Sequence, residues 1–306
     1  MFFFKPKKHQ NEDIEVEIPL LESENEIALA DSAEVLPIEE SKEETAEKTE
    51  KLEDVSDFYR LAEILCTDKT KVLDECKLYE IRKIMSKISR AVVRYGLSVG
   101  EIKALVNNAE VSGLGEIAVS PAYLSAIADK LKNKEEMKVS AVIDFPFGEA
   151  SFKVKLSEIK NSVKKGVDGV LTIINASEIK SDNPLALKKQ LKKIRKFKSV
   201  SSGVAVSAED LEKDDIKRFL HLTDRAGMDC AAFLFGNVSE QALHAKMKEI
   251  MSVKGKTIVK VMANVENVSG VKALIACGAD GIITPYADKI AKELFTEFKI
   301  SSVKLV

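Results

Sequence analysis

From about Val55 onward, segments with apolar residues at helical spacing alternate with short apolar runs. In the longer segments the apolar residues recur near i, i+3 and i+4, which is typical of amphipathic helices. The short runs, apart from the first, are mostly apolar, as are strands buried on both faces of a parallel sheet. The predicted strands are RAVVRY, EIAVS, KVSAVIDF, DGVLTIIN, SGVAVS, DCAAFLF, TIVKVMAN and DGIITP. The pattern therefore predicts eight strands, each followed by a helix.

Two helices are predicted before the first strand and eight after it. They are DFYRLAEILC, KLYEIRKIMSKIS, VGEIKALVNNAE, PAYLSAIADKLKN, FKVKLSEIKNSVKK, PLALKKQLKKIRKF, SAEDLEKDDIKRFLHLTDRA, VSEQALHAKMKEIMS, VSGVKALIAC and ADKIAKELFTEF. At three joints, KKGVDGV, RAGMDCA and ACGADGI, a glycine ends the helix and an aspartate opens the next strand. Regular alternation over about 250 residues predicts an α/β protein with a (β/α)8 TIM barrel. A doubly wound open sheet is the alternative, although no strand is followed by GxGxxG or GxxxxGK[ST].

The amino-terminal segment has a different composition. Residues 1–54 contain 17 acidic and 6 basic side chains, a net charge of -11, whereas the remainder contains 32 acidic and 41 basic ones, a net of +9. Asn11 to Asp54 is rich in glutamate and has no sustained apolar periodicity, so it cannot bury enough surface to offset its ordering entropy. We therefore predict a disordered acidic tail over 1–55 and a barrel domain over 56–306.

Several classes of protein are disfavoured by composition. No apolar run approaches the length of about 18 residues that a membrane helix needs, and MFFFKPKK is too short for a stable membrane anchor. The four cysteines lack paired spacing and the three histidines are isolated, so neither a disulfide framework nor a metal site is predicted. These features favour a cytoplasmic protein.

In a TIM barrel the active site forms at the carboxyl ends of the strands. Lys260 is the one lysine embedded in a predicted strand, and burial there would depress its pKa and favour nucleophilic or imine chemistry. The alternative is a structural lysine whose stem packs and whose ammonium pairs with a carboxylate. Asp144 is the nearest acid–base candidate by strand position. The candidate binding residues at strand ends are Thr172, Asn175, Asn264 and Thr284.

The segment LKKQLKKIRKFK carries seven cations between Lys188 and Lys198. A solvated outer helix of the barrel explains such a run. The same run could dock on nucleic acid, on another anionic surface or on the acidic tail of the chain itself.

The stretch KVSAVIDFPFGEASFKVKLSEIKNSVKKGVDGVLTIIN, Lys138 to Asn175, resembles the deoxyribose-phosphate aldolase family, whose members show FPxG after a strand, a T/V-K-x-x-E-like helix start and G-A-D-E-I-D-M-V-I-N. The likeness continues through GEIAVSPAYL, AGMDCAAFLFG, VKVMANVEN and CGADGIITP, and covers about Leu97 to Pro285. The resemblance implies a class I aldolase barrel that needs no cofactor or metal. It also implies a small carbonyl or sugar-phosphate ligand, and it leaves a homodimer open, since members of the family often form dimers.

The residues that carry the family's chemistry are largely replaced. The imine-forming lysine of the sixth strand falls on Ala232, the proton-relay aspartate of the fourth strand on Leu171, and the second-strand cysteine on Ala118. The family's phosphate-binding Gly-Gly falls on Ala263 and Asn264, and its G-T-S turn on Ile283, Thr284 and Pro285. The family's assisting lysine remains, at Lys260.

Two hypotheses follow from this pattern. The first is a pseudoenzyme: a binding or regulatory protein that has lost the aldolase reaction. The second is an active lyase that forms its Schiff base on Lys260 with an aldehyde or ketone.

Overall fold

The computed structural model describes residues 72–132, 137–181 and 183–297. The predicted acidic tail, its boundary near residue 55 and the predicted helix DFYRLAEILC lie outside these residues.

Eight parallel strands close into a barrel in chain order. They are β1 (Ile88–Val92), β2 (Glu116–Val119), β3 (Lys138–Ile143), β4 (Gly169–Ile173), β5 (Ser201–Ser207), β6 (Cys230–Leu234), β7 (Ile258–Met262) and β8 (Gly281–Thr284). β8 pairs with β1 in parallel, with Ser89 opposite Ile283, so the sheet has no free edge. The predicted TIM barrel is therefore confirmed, and the open doubly wound sheet is wrong.

Helices surround the barrel. They are α1 (Val72–Met85), α2 (Val99–Val111), α3 (Ala128–Lys132, preceded by the 3-10 segment Pro121–Ile127), α4 (Phe152–Lys165), α5 (Ala176–Lys180), α6 (Pro184–Ile194), α7 (Lys213–Ala226), α8 (Glu240–Ser252), α9 (Val268–Ala276) and α10 (Ala287–Glu297). No helix among the described residues has the length and apolar character needed to cross a membrane.

Two helices have different ends from those predicted, and one short helix was not predicted. The helix predicted to run to Ser89 ends at Met85, because Ser89 already belongs to β1 and bonds to Glu116 on β2. The helix predicted from Ser207 begins at Lys213, where Glu212 and Asp215 form a capping box. The short helix α5, capped by the side chain of Asn175, was not predicted.

The three Gly-x-Asp joints serve both helix ends and the sheet. Gly166, Gly227 and Gly278 have φ values of 96°, 70° and 102°, which a residue with a Cβ rarely adopts. Each following aspartate accepts a hydrogen bond from a backbone N–H of the strand before it: Asp168 from Val139, Asp229 from Ser202, and Asp280 from Val259. The repeated motif thus ends a helix and ties two neighbouring strands at the amino end of the barrel.

Buried apolar residues form two clusters. The larger lies between the barrel and its helices, and the smaller fills the barrel interior. The interior cluster consists of Ala91, Ala118, Val142, Leu171, Ile173, Ala205, Cys230, Ala232, Leu234, Met262 and Ile283. Because side chains alternate across each strand, this set identifies which positions face the interior.

Candidate functional site: base and mouth of the barrel

Lys260 lies on the interior face of β7, in register with Ala232 on β6 and Gly281 on β8. Its side chain runs toward the amino ends of the strands, the end of the barrel called the base here. The absence of a side chain at Gly281 makes room for it, since a Cβ there would lie 3.1 Å from Cγ of Lys260. Of the two directions open to a strand lysine, toward the helices or into the barrel, Lys260 takes the second, but its ammonium does not point to the carboxyl ends of the strands.

The ammonium of Lys260 meets Glu116, the first residue of β2. Nζ donates a hydrogen bond to Oε2 of Glu116 over 2.7 Å, and about a quarter of each side chain remains exposed. The same carboxylate accepts hydrogen bonds from the hydroxyls of Ser89 (2.9 Å) and Ser140 (2.7 Å). A hydrogen-bonded ion pair thus occupies the base of the barrel interior.

This pairing reverses the expected pKa shift of Lys260. Burial by itself would lower the pKa of the ammonium, but the charge and hydrogen bond of Glu116 raise it above its usual value. Burial would likewise raise the pKa of Glu116, yet Lys260 and the two serine hydroxyls hold it below its usual value. The depressed pKa that burial alone would cause in Lys260 is therefore not found, and the residue matches the alternative of a structural lysine whose ammonium pairs with a carboxylate. Lys260 is held in the protonated form, which is not nucleophilic.

Asp144 is directed away from Lys260. It has a positive φ of 61°, and its Oδ2 accepts a hydrogen bond from the backbone N–H of Ala150 over 2.8 Å. The same oxygen lies 3.3 Å from Nζ of Lys155, a residue of α4. The structure therefore places the two proposed catalytic residues in separate networks, one at the base and one in the loop after β3.

Lys155 is almost completely buried although it belongs to a helix. Its ammonium donates hydrogen bonds to the carbonyl oxygens of Gly148 (2.7 Å) and Ile173 (2.9 Å). Together with Asp144, these contacts fix the FPFG loop to the carboxyl end of β4. Burial and the charge of Asp144 also raise the pKa of the neighbouring Glu158.

A large cavity opens at the carboxyl ends of the strands, and we call it the mouth. Its volume is about 850 Å³. Its wall is largely apolar and includes Val93, Leu97, Phe145, Phe147, Leu234, Phe235, Met262 and Ile283. Among the described residues, no lysine lines it.

The predicted binding residues divide into two pairs. Asn175 and Asn264 line the mouth, although Asn175 also uses its side chain to cap α5. Thr172 and Thr284 do not line the mouth. Thr172 is fully buried and alternates along β4 with the interior residues Leu171 and Ile173, so it faces the helices.

Thr284 serves the turn after β8. Its hydroxyl donates a hydrogen bond to the carbonyl oxygen of Val265 and accepts one from the backbone N–H of Tyr286. The hydroxyl of Thr284 thus stabilises the turn after β8 and lies outside the lining of the mouth.

Ala232 and Leu171, the positions matched to the family's nucleophile and proton relay, lie in the middle of the barrel interior. Ala232 has no exposed surface, and Leu171 retains 5%. Burial raises the pKa of the nearby Cys230 thiol to about 11, so it stays protonated at neutral pH. The middle layer of the barrel therefore offers packing and no charged group.

Comparisons with known proteins identify similar chains and the same barrel fold. No family model matches the chain. The deoxyribose-phosphate aldolase of Mycoplasmoides pirum is 26% identical over 219 residues, which cover 68% of this chain and 96% of that protein. The deoxyribose-phosphate aldolase of Clostridioides difficile (strain 630) is 23% identical over 214 residues, covering 69% of this chain and 97% of that protein.

Solved structures give the same result. QR15, an aldolase, superposes with a TM-score of 0.64 at 25% identity, over 72% of this chain and 99% of its own. The tetrameric deoxyribose phosphate aldolase from Aeropyrum pernix superposes with a TM-score of 0.62 at 20% identity, over 69% and 91%. Over its barrel, the chain is a distant homologue of the deoxyribose-phosphate aldolases in both sequence and fold.

Proposed function

We propose that this barrel is a binding or regulatory protein that does not carry out the aldolase reaction. The observation that carries the proposal is that no lysine among the described residues lines the mouth, where a carbonyl substrate would enter. An imine needs an unprotonated primary amine within reach of the carbonyl carbon. Ala232 supplies none, and the ammonium of Lys260 is bonded to Glu116 at the base.

The alternative function is a lyase that uses Lys260. Its interior position, beside Ala232 on the neighbouring strand, favours this alternative over any surface lysine. To act, Lys260 would have to break its bond to Glu116, lose a proton and turn toward the mouth. Asp144 would not assist it, because its Oδ2 contacts Lys155 and Ala150.

Borohydride trapping tests the choice. The full chain and its Lys260→Met variant are incubated with deoxyribose 5-phosphate or acetaldehyde and reduced, and labelled lysines are mapped by peptide mass. An active deoxyribose-phosphate aldolase serves as the positive control. Exposed lysines give a background of reductive alkylation that both chains share.

We expect no label at Lys260 and no cleavage of deoxyribose 5-phosphate, while the control enzyme gives both. A stoichiometric adduct at Lys260 that disappears in Lys260→Met, together with cleavage, would establish the lyase and overturn the proposal.

A second element of the proposal concerns the acidic segment Asn11 to Asp54 and a basic surface of the barrel. Helices α4 and α6 and the turn that follows α6 expose nine lysines, none of which forms an ion pair with a described carboxylate. They are Lys153, Lys160, Lys164, Lys165, Lys189, Lys192, Lys193, Lys196 and Lys198. The net charge of -11 on residues 1–54 is opposite in sign to this lysine-rich surface. This complementarity supports a contact between the acidic segment and residues 188–198.

Zero-length carbodiimide cross-linking of the full chain at low and high salt tests this contact. We expect Glu–Lys cross-links to residues 188–198 that are lost at high salt and in Lys189→Glu/Lys192→Glu/Lys196→Glu. The matched reversal Lys213→Glu/Lys217→Glu/Lys248→Glu, on α7 and α8, should retain them. Cross-links that persist in the first variant would exclude the contact.

We further propose that the protein is cytoplasmic and forms a homodimer. Each barrel of the dimer binds its ligand in the mouth. The oligomeric state is measured by sedimentation of the full chain, and a monomer at micromolar concentration would remove that part.

A further inference from the structure

The mouth has the size and wall of a small-molecule site. Its volume of about 850 Å³ falls in the range of roughly 300–1,000 Å³ that ligand pockets occupy. The floor is formed by Leu234, Met262 and Ile283, and the rim by Phe145 and Phe147, which are 39% and 70% exposed. Apolar side chains thus contact a ligand from the floor and from the rim.

Anion binding at this end of a barrel would use the backbone N–H groups at helix starts. A smaller cavity of about 160 Å³ adjoins the mouth and reaches the start of α9. There the N–H of Val268 donates to the carboxylate of Glu293 over 3.2 Å, and the N–H of Gly270 donates to Oδ1 of Asn267 over 2.7 Å. The chain's own oxygens therefore occupy the positions that a phosphate would take.

The neighbouring helix starts are arranged in the same way. Ser239 caps α8 through the N–H of Ala242, and Glu240 adds a carboxylate to the first turn. At α10 the N–H of Tyr286 donates to the hydroxyl of Thr284, and Asp288 lies in the first turn. The starts of α8 and α9 thus each have a nearby carboxylate of the chain, Glu240 and Glu293, which repels an incoming anion, whereas Asp288 at the start of α10 is paired with Arg90.

The charged side chains at the mouth add to this repulsion. Arg90 is bound to Asp288 over 2.6 Å, and Arg94 lies 3.9 Å from Glu101, so both cations that line the mouth are compensated. In contrast, Glu149 and Asp210 line the mouth without an ion pair to any described residue. Among the described residues, the charged side chains that line the mouth without an ion pair are therefore carboxylates.

We propose that the mouth binds a neutral, largely apolar organic molecule and rejects phosphorylated and carboxylated ones. This inference rests on the proposed function in that the cavity serves binding rather than imine chemistry. It also excludes the sugar phosphate that the resemblance implied. At the mouth, the phosphate would find backbone N–H groups that are already bonded to oxygens of the chain, and carboxylates without a cation.

Three probes that share one ring system test the selectivity. They are 2-naphthylmethanol, 2-naphthoate and 2-naphthyl phosphate, titrated into the full chain at pH 7 and followed by naphthalene emission. The chain contains no tryptophan, so there is no indole background. We expect the alcohol to bind at least about tenfold more tightly than either anion, since like charges placed against each other penalise the wrong ligand.

Two variants locate the binding. Phe145→Ala/Phe147→Ala removes exposed aromatic area at the rim and should weaken the alcohol about three- to tenfold. Leu185→Ala, at an equally exposed apolar residue outside the lining of the mouth, should leave its affinity unchanged. Equal losses in both variants would place the probe elsewhere and overturn the inference.

The outcomes separate this inference from the proposed function. Phosphate binding as tight as that of the alcohol, without cleavage of deoxyribose 5-phosphate, would overturn the ligand class and leave a binding protein. Cleavage with labelling at Lys260 would overturn the proposed function, whatever the probes do.

Discussion

The base of this barrel contains a charged pair, whereas the floor of its mouth is apolar, which is the reverse of the arrangement expected of a barrel enzyme. In such enzymes the chemistry lies at the carboxyl ends of the strands and the amino ends serve stability. Here the base holds an interior ion pair, Lys260 with Glu116, whereas the floor of the mouth is formed by Leu234, Met262 and Ile283. A charged group inside a barrel is therefore not evidence of an active site until its end of the barrel is known.

The mouth does have a buried lysine nearby, and comparing it with Lys260 shows how the mouth stays apolar. Lys155 comes from α4 and its ammonium is bonded to carbonyl oxygens of the chain, outside the barrel interior. Lys260 comes from β7 and its ammonium lies inside the barrel, at the base. Both lysines are thus occupied by structural partners, and neither lines the mouth.

Replacing Lys155 should have the largest effect on stability. Its side chain is 1% exposed, and Lys155→Met leaves two carbonyl oxygens and the carboxylate of Asp144 without their cation. Removing one partner from such a buried set costs about 3–5 kcal/mol. Urea unfolding measures the loss, and Lys153→Met, an exposed lysine of the same helix, should change stability by less than about 0.5 kcal/mol. If Lys155→Met and Lys153→Met changed the free energy of unfolding equally, the buried contacts of Lys155 would not stabilise the barrel.

Replacing Glu116 should have an intermediate effect, since a quarter of the side chain is exposed and solvent screens the pair. We expect Glu116→Gln to destabilise the barrel by about 1–3 kcal/mol, below the range for fully buried pairs. Adding Lys260→Met should cost less than the sum of the single changes, because the two charges are coupled. Glu297→Gln, in the exposed pair with Lys272, is the control and should fall within about 1 kcal/mol of wild type. Additive single changes would contradict the coupling.

Most of the fold could be predicted, because apolar runs report burial on both faces of a strand. The pattern misses the start of the first strand because Ser89 and Arg90 are polar, and their partners Glu116 and Asp288 come from distant parts of the chain. Local pattern therefore extended a helix across Ser89.

The site could be predicted only in part. The apolar strand leaves open whether Lys260 faces the interior or the helices. Its partner Glu116 is 144 residues away and is the first residue of a strand, where a glutamate looks like an ordinary terminal residue. Lys155 was visible only as one lysine of an amphipathic helix. Gly281, opposite the stem of Lys260 on the neighbouring strand, is a signal that could have indicated which way this lysine turns.

The pH dependence of stability tests the base specifically. The pKa of Glu116 is lowered in the folded chain, so its contribution is present above the unfolded value of about 4.3 and is lost as the pH falls through the folded value. The stability difference between wild type and Glu116→Gln should thus be constant from pH 6 to 8 and shrink below about pH 4. A difference that stays constant down to pH 3 would mean that the carboxylate is not stabilised by Lys260.

At high pH the free energy of unfolding changes with pH in the opposite direction, because the pKa of Lys260 is raised. Its contribution is present below the unfolded value of about 10.4 and is lost as the pH rises through the folded value. Lys260→Met should therefore lose its stability deficit at strongly alkaline pH, and Glu116→Gln at acid pH.

The smallest effect is expected at the mouth, where Asn267 caps α9. Asn267→Ala removes the acceptor of the Gly270 N–H and should cost about 1 kcal/mol, the usual loss for a helix cap. It also frees an N–H beside the mouth, so the affinity of 2-naphthyl phosphate should rise a few-fold while that of 2-naphthylmethanol is unchanged. Asn183→Ala, which removes the cap of α6 outside the lining of the mouth, is the matched control and should cost similar stability without altering either affinity. If both cap variants leave phosphate binding unchanged, the helix start does not contribute to the rejection of anions, and the difference between base and mouth would rest on the rim carboxylates alone.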